Sequence, residues 1–216
     1  MIKFNHVYKI YEKNIKALDD ITFTIEKGEF VFLTGPTGAG KTTILKLLYK
    51  EETPDMGTII VGSQDITHLS SRKIPFYRRS IGFVFQDFKL LFDRTVYDNI
   101  ALPLVIAGEN NKYIKKRVNE YIEKAGLLGK ENLTPWHLSG GEKQKVAIMR
   151  AFITNPNLIL ADEPTGNLDD ESAWEIIKIF EEANKNGTTV VFATHNKELL
   201  EKMNKRIIKL LQGRIV

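Results

Sequence analysis

Residues Phe30-Val31-Phe32-Leu33-Thr34 run straight into Gly35-Pro36-Thr37-Gly38-Ala39-Gly40-Lys41-Thr42, and this stretch decides how the chain reads. The apolar run has the character of a buried strand, and 41–50 that of a helix. Between them the loop matches G-x-x-x-x-G-K-S/T in full, in the strand–loop–helix setting that gives the pattern its mechanism. Glycines at 35, 38 and 40 let the backbone wrap a phosphate chain with its N–H groups turned inward. The helix behind offers its positive end to an anion. Lys41 reaches the β- and γ-phosphates, and the Thr42 hydroxyl is a ligand for Mg²⁺. Gly35, Pro36, Thr37, Gly38, Ala39, Gly40, Lys41, Thr42 and Thr43 are accordingly assigned to ATP contact. A chance glycine-rich turn is the plainer alternative, and the flanking elements argue against it.

Upstream, 2–8 and 21–25 alternate as half-buried strands, with a turn at 26–29 before the strand 29–34. Downstream, 57–61 and 81–85 read as further strands. Over 113–125, Ile114, Val118, Tyr121, Ile122 and Ala125 recur at spacings of three and four, a core-facing helical stripe. Lys112, Lys115, Lys116 and Arg117 read as its solvated face. A second helix is expected over 141–153. Then come a strand (158–161), a helix (170–184), a strand (188–194), a helix (197–203) and a closing hairpin (205–210 with 214–216). The reading is one α/β domain over 1–216, with 1–86 and 156–216 as its core and 87–155 as a helical subdomain.

The chain has 216 residues, with 31 Lys plus Arg against 27 Asp plus Glu, a formal charge of +4. Hydrophobic residues make up 43%, enough for a packed core. There is no cysteine, which excludes disulfides, thiol catalysis and Cys-bound zinc. No apolar run reaches about 18 residues, so no bilayer span is expected. The charged start, 1–14, does not read as a signal peptide. The basic surplus is too small to argue for nucleic acid or an anionic membrane.

Leu158-Ile159-Leu160-Ala161-Asp162-Glu163 is an apolar strand ending in two carboxylates. The carboxyl end of such a strand faces the ligand crevice of an α/β sheet. Asp162 is expected to hold Mg²⁺, through water, and Glu163 to orient or activate an attacking water. Strand neighbours point to opposite faces, so the pair needs a turn after Asp162, and Pro164 supplies a break there. His6, His68 and His137 share no ligand spacing and read as structural. Trp136 and Trp174 read as packing residues.

Leu138-Ser139-Gly140-Gly141-Glu142-Lys143-Gln144 resembles the signature sequence of the ATP-binding-cassette (ABC) ATPases. Gln86 is similar to that family's Q-loop glutamine, Asn167-Leu168-Asp169 to its D-loop, and Thr194-His195 to its switch histidine. Tyr11 stands where the family stacks an aromatic on adenine. The motifs come in the family's order and cover nearly the whole chain. The resemblance implies a P-loop NTPase of ABC type, α/β in class, with a RecA-like mixed sheet core, an antiparallel β subdomain and a helical subdomain. It implies ATP and Mg²⁺, catalysis by Glu163, His195, Lys41 and Gln86, nucleotide contacts from Tyr11, Ser139, Gly140, Gly141 and Asp169, and metal contacts from Thr42, Gln86 and Asp162. It implies an ATP-dependent homodimer, each site taking its cradle from one chain and Ser139, Gly140 and Gly141 from the other. It further implies an integral membrane subunit as partner, docking near Phe88, Leu90, Leu91 and Phe92 at the cytoplasmic face of the membrane. Departures are Glu142 for the usual Gln, Lys145 for Arg and Asn196 for Asp, none of which removes a catalytic group.

Two other classes compete with an ATPase that drives a membrane partner. A nucleic-acid-acting ABC protein would want tandem cassettes, a coiled-coil or zinc insertion, or a strongly basic stripe. A non-hydrolysing scaffold would not need Asp162, Glu163 and His195 together.

Overall fold

The computed structural model describes residues 1–12, 15–166 and 168–216. Two sheets carry the fold. A four-stranded sheet is built from β1 (Ile2–Tyr11), β2 (Ile15–Ile25), β4 (Met56–Val61) and β5 (Gln64–Asp65) in the order β2-β1-β4-β5, every pairing antiparallel. A six-stranded sheet takes β3 (Phe30–Thr34), β6 (Ile81–Val84), β7 (Leu158–Asp162), β8 (Thr189–Ala193), β9 (Arg206–Leu211) and β10 (Arg214–Ile215) in the order β10-β9-β3-β8-β7-β6. Its pairings are parallel except β9 with β10.

Alternation along the central strands makes two cores. Val31, Leu33, Leu160 and Val191 face a cluster with Phe4, Ile21 and Ile25 of the antiparallel sheet and Ile44, Leu45 and Leu48 of α1 (Lys41–Leu48). Phe30, Phe32, Ile159 and Phe192 face the opposite way, onto α3 (Val96–Ala107), α4 (Asn111–Lys124), α5 (Gly140–Phe152) and α6 (Asp170–Lys185). With both faces covered, every residue from Leu158 to Asp162 and from Thr189 to Ala193 is buried, which is why these strands read as unbroken apolar runs. Phe180 of α6 sits edge-on to Phe152 at 5.1 Å and to Phe192 at 5.1 Å, fully buried. Phe180→Ala is expected to cost about 4 kcal/mol of stability, through lost transfer energy and the cavity left behind; the midpoint of chemical denaturation checks it.

Several elements differ from expectation. β1 and β2 run beyond 2–8 and 21–25, because register shifts between Phe4 and Ile10 break the alternation by which a strand is recognised. α3 was not expected: Pro103 lies inside it and it is apolar nearly all round, so no polar face marks it. Its start is nevertheless firm, with Thr95 and Asp98 forming a reciprocal capping box. β5 and the short α2 (Ile74–Arg79) also escaped the sequence reading. Trp136 stacks on Phe92 at 4.6 Å but remains 73% exposed, so it is a surface residue rather than a packing one.

The parallel register decides where the site forms. Ala161 pairs with Val84, Asp162 with Ala193, and Leu33 with Ala193. The ends of β3, β6, β7 and β8, and so Gly35, Gln86, Glu163 and His195, therefore emerge along one edge of the sheet. α7 (Lys197–Met203) follows β8 directly.

Candidate functional site

Gly35, Gly38 and Gly40 of the cradle all have positive φ, and two of them are also hemmed in by backbone. Gly35 has φ 149° and a Cβ there would meet the Leu210 carbonyl at 2.2 Å; Gly40 has φ 106° and a Cβ would meet the Ala17 carbonyl at 2.7 Å. Gly40→Ala is therefore expected to destabilise the fold by about 2 kcal/mol, because the obstacle is backbone that cannot swing away; a thermal melt with and without ATP checks it. Gly40 is also the N-cap of α1, and no side chain caps that helix. Its first N–H groups are left for an anion, and no acidic residue stands in the first turn to oppose one. Pro36, Thr37, Gly38 and Thr42 are exposed, while Ala39 and Thr43 are buried in the loop's support.

Lys41 is 6% exposed. Its ammonium donates to the Gly35 carbonyl at 2.8 Å and the Pro36 carbonyl at 3.2 Å, and lies 3.9 Å from Glu163 Oε1. Glu163 Oε2 is 2.8 Å from His195 Nδ1. Glu163 thus joins the cradle lysine to the histidine after β8. The turn that brings it there is at Glu163 itself, whose φ is +46°, and not at Pro164 as the sequence suggested. Its N–H donates to the Ala193 carbonyl at 3.0 Å, and its own carbonyl accepts from Gly166 N–H at 3.1 Å. A left-handed glutamate is strained, and strain of that kind collects at functional sites.

Asp162 is buried at the end of β7. Burial pushes its carboxyl above the ordinary aspartate range; the Thr42 hydroxyl and the Lys41 charge oppose this, and the Glu163 charge adds to it. Among the described residues no cluster of three His, Asp or Glu side chains could by itself cage a metal. Thr42 and Asp162 at the mouth of the cradle still fit Mg²⁺, which takes one or two protein ligands and completes its shell with phosphate oxygens and water. Gln86 is exposed just beyond β6. Tyr11 is half-buried at the end of β1, with the Lys9 ammonium 5.3 Å from its ring centre.

The signature stretch lies at a second place. Ser139 and Gly140 are exposed, and no hydrogen bond ties Ser139, Gly140 or Gly141 to the cradle among the described residues. Ser139 caps α5, accepting from Glu142 N–H at 3.3 Å, while the Glu142 carboxylate accepts from Ser139 N–H at 2.8 Å. Glu142 also pairs with Lys130, which holds its carboxyl below the usual glutamate range. The three departures from the family pattern thus have local reasons. Glu142 completes a capping box, Lys145 bridges α5 to Glu175 of α6 at 2.8 Å, and Asn196 caps α7 by accepting from Leu199 N–H at 3.2 Å. Asp169 caps α6, accepting from Ser172 N–H at 2.9 Å, and lies exposed near the signature; Asn167 lies outside the described residues.

Of the expected docking residues, Leu90 is buried at 6% exposure and belongs to the core, which removes it from any docking surface. Phe88 and Phe92 pack half-buried against the same core. Leu91 alone is exposed, on a depression shared with Tyr97, Leu102 and Val105 of α3. A neighbouring groove of 340 Å³ is lined by Tyr49, Phe83, Phe85, Lys89, Pro103 and Ile106 among others. Asn99 and Arg150, which hold the segment between Gln86 and α3, were not expected to matter; only a polar residue inside an otherwise buried stripe marks each.

Comparison with known proteins agrees with this geometry. Residues 18–166 match the family model described as ABC transporter. The chain is 49% identical over 216 residues to the cell division ATP-binding protein FtsE of Bacillus subtilis, covering all of this chain and 95% of that protein. It is 48% identical over 215 residues to FtsE of Escherichia coli K12, covering all of this chain and 97% of that protein. Its fold overlays the dimeric post-hydrolysis structure of the ATP-binding cassette MJ0796, bound to ADP and Pi, with a TM-score of 0.93 at 35% identity, covering all of this chain and 96% of that one. With a family model over residues 18–166, relatives 48% and 49% identical over the whole chain, and a shared fold, the chain belongs to the ABC transporter family and is one of its ATP-binding cassettes.

Proposed function

We propose that this chain is the ATP-hydrolysing subunit of an FtsE–FtsX-type complex, working as a dimer at the cytoplasmic face of the cell membrane. The observation that carries the reading is that one chain holds two half-sites. The uncapped start of α1 with Lys41, Glu163 and His195 forms one, and the exposed Ser139-Gly140 start of α5 forms the other. A second copy facing head to tail brings the two together, and helix N-termini then meet the phosphates from both sides.

In the closed site Lys41 leaves the Gly35 and Pro36 carbonyls for the β- and γ-phosphates. Thr42, Asp162 and Gln86 would hold Mg²⁺, whose charge would offset that of the phosphate oxygens. Glu163 orients the attacking water and accepts its proton, and His195 steadies Glu163 and contacts the γ-phosphate. Tyr11 stacks on adenine, and Asp169 stands near the partner chain's nucleotide. Residues 87–155 act as the helical subdomain that carries the signature and the docking surface. The membrane subunit, FtsX by likeness to the relatives, docks where Leu91 is exposed, and the output is a conformational signal to peptidoglycan hydrolases in division. No direct nucleic-acid role is proposed.

The test is affinity purification of the chain from its native membranes. An FtsX-type protein should co-purify, and Leu91→Ala should weaken the association about tenfold while leaving ATP affinity unchanged. Recovery of a lipoprotein-releasing or macrolide-type exporter subunit instead would overturn the division role and leave the ATPase.

A further inference from the structure

Between Gln86 and α3 the chain has little regular structure, yet two side chains hold it firmly. Arg150, in the last turn of α5, donates Nη1 to the Lys89 carbonyl and Nη2 to the Phe88 carbonyl, each at 2.7 Å. Phe88 and Lys89 both have left-handed backbone, with φ 60° and 48°. Non-glycine residues adopt that conformation at a cost, so something must hold them there. Asn99 of α3, fully buried, accepts from Leu91 N–H at 2.8 Å and donates to the Leu91 carbonyl at 2.9 Å and the Thr95 carbonyl at 2.9 Å. The segment after Asp87 is thereby fastened to the helices on both sides. Gln86 stands at the boundary, between this fastened segment and the end of β6, where Phe85 stacks on Phe83 at 4.1 Å.

We propose that Arg150 is a positioning residue that makes the signature helix and the segment after Gln86 one body, so that a shift of α5 on meeting the second chain's nucleotide is delivered to Gln86. The inference rests on the two-half-site reading above. Three features favour this over a purely structural role. The guanidinium reaches from the helix that Ser139 starts to Phe88 and Lys89, two and three residues past Gln86. It fixes strained backbone rather than filling a gap. It also lines the groove of 340 Å³ with Phe85, Lys89 and Pro103, beside the depression on which Leu91 is exposed. Burial lowers its affinity for a proton, as expected for a cation whose partners are neutral carbonyls.

The test uses Arg150→Lys, which keeps the charge and most of the stem but cannot fork across two carbonyls. ATP affinity of the single chain, set by the cradle, should change less than about twofold, while turnover at saturating ATP should fall about tenfold or more, a kcat effect without a binding effect. In a Glu163→Gln background the added Arg150→Lys should raise the protein concentration needed for the ATP-bound dimer about tenfold. Should Arg150→Lys fail to fold, Arg150→Gln, whose amide can donate to one of the two carbonyls but cannot fork across both, should show the same split. Turnover and dimerisation at parental levels in a folded variant would overturn the proposal. Failure of Glu163→Gln alone to dimerise with ATP would instead strike the two-half-site reading, and the positioning role would fall with it.

Discussion

Glu163→Gln should bind ATP at least as well as the parent and hydrolyse it about a thousandfold more slowly, the scale on which a positioned general base acts. The substitution is nearly isosteric, and the side-chain amide can still meet His195, now 2.8 Å from Oε2. What it cannot do is accept a proton from water. It also removes a negative charge from beside Lys41, where Oε1 lies 3.9 Å from the ammonium, and so lessens repulsion of the γ-phosphate. Bound ATP that is not consumed should keep two chains closed on each other. Steady-state hydrolysis and light scattering with and without ATP check both halves. Parental turnover would remove Glu163 from catalysis, and a monomer in saturating ATP would remove the shared site.

Lys41→Ala should weaken ATP binding by about a hundredfold, near 3 kcal/mol, since charge-assisted bonds to phosphate are lost and, among the described residues, no other ammonium bonds the cradle carbonyls. This ammonium also donates to the Gly35 and Pro36 carbonyls, so the loop should lose part of its preorganisation as well. Removing a buried cation leaves Glu163 facing His195 alone, and the charge change beside Asp162 disfavours a second carboxylate's ionisation. Calorimetric titration with ATP is the measurement; an affinity within a few-fold of the parent would displace Lys41 from the phosphates.

Both substitutions fall on residues the sequence marked without help, and the reason is chemical. A phosphate cradle needs glycine, lysine and a hydroxyl at fixed offsets, so 35–42 could be read directly, and an apolar strand running into Asp162-Glu163 could be read once the cradle was known. Elements with one polar and one apolar face were equally plain: α7 falls at 197–203 as expected, and Ile114, Val118 and Ile122 of α4 are buried as the stripe required. What stayed hidden lacks a period. α3 carries Pro103 and no polar face; the register shifts of β1 interrupt its alternation; and the left-handed turn at Glu163 is imposed by its pairing to Ala193, not by a glycine. Arg150 and Asn99 were illegible for another reason. Their partners are backbone carbonyls brought close only by folding, and carbonyls carry no sequence signal.

The two apolar clusters on opposite faces of the six-stranded sheet share no side chain. The sheet is therefore a party wall between two separately furnished rooms. α1, which the cradle starts, packs in one room; α3, α4 and α5, the last begun by Ser139, pack in the other. A shift of the helices in the second room would disturb none of the side chains packed in the first, so the packing behind the cradle can stay as it is while the signature end of the chain moves. In the proposed head-to-tail pair, a nucleotide seated in one chain's cradle meets the Ser139 end of its partner, so within each chain the half that grips and the half that reads stand on opposite sides of the wall and serve different nucleotides.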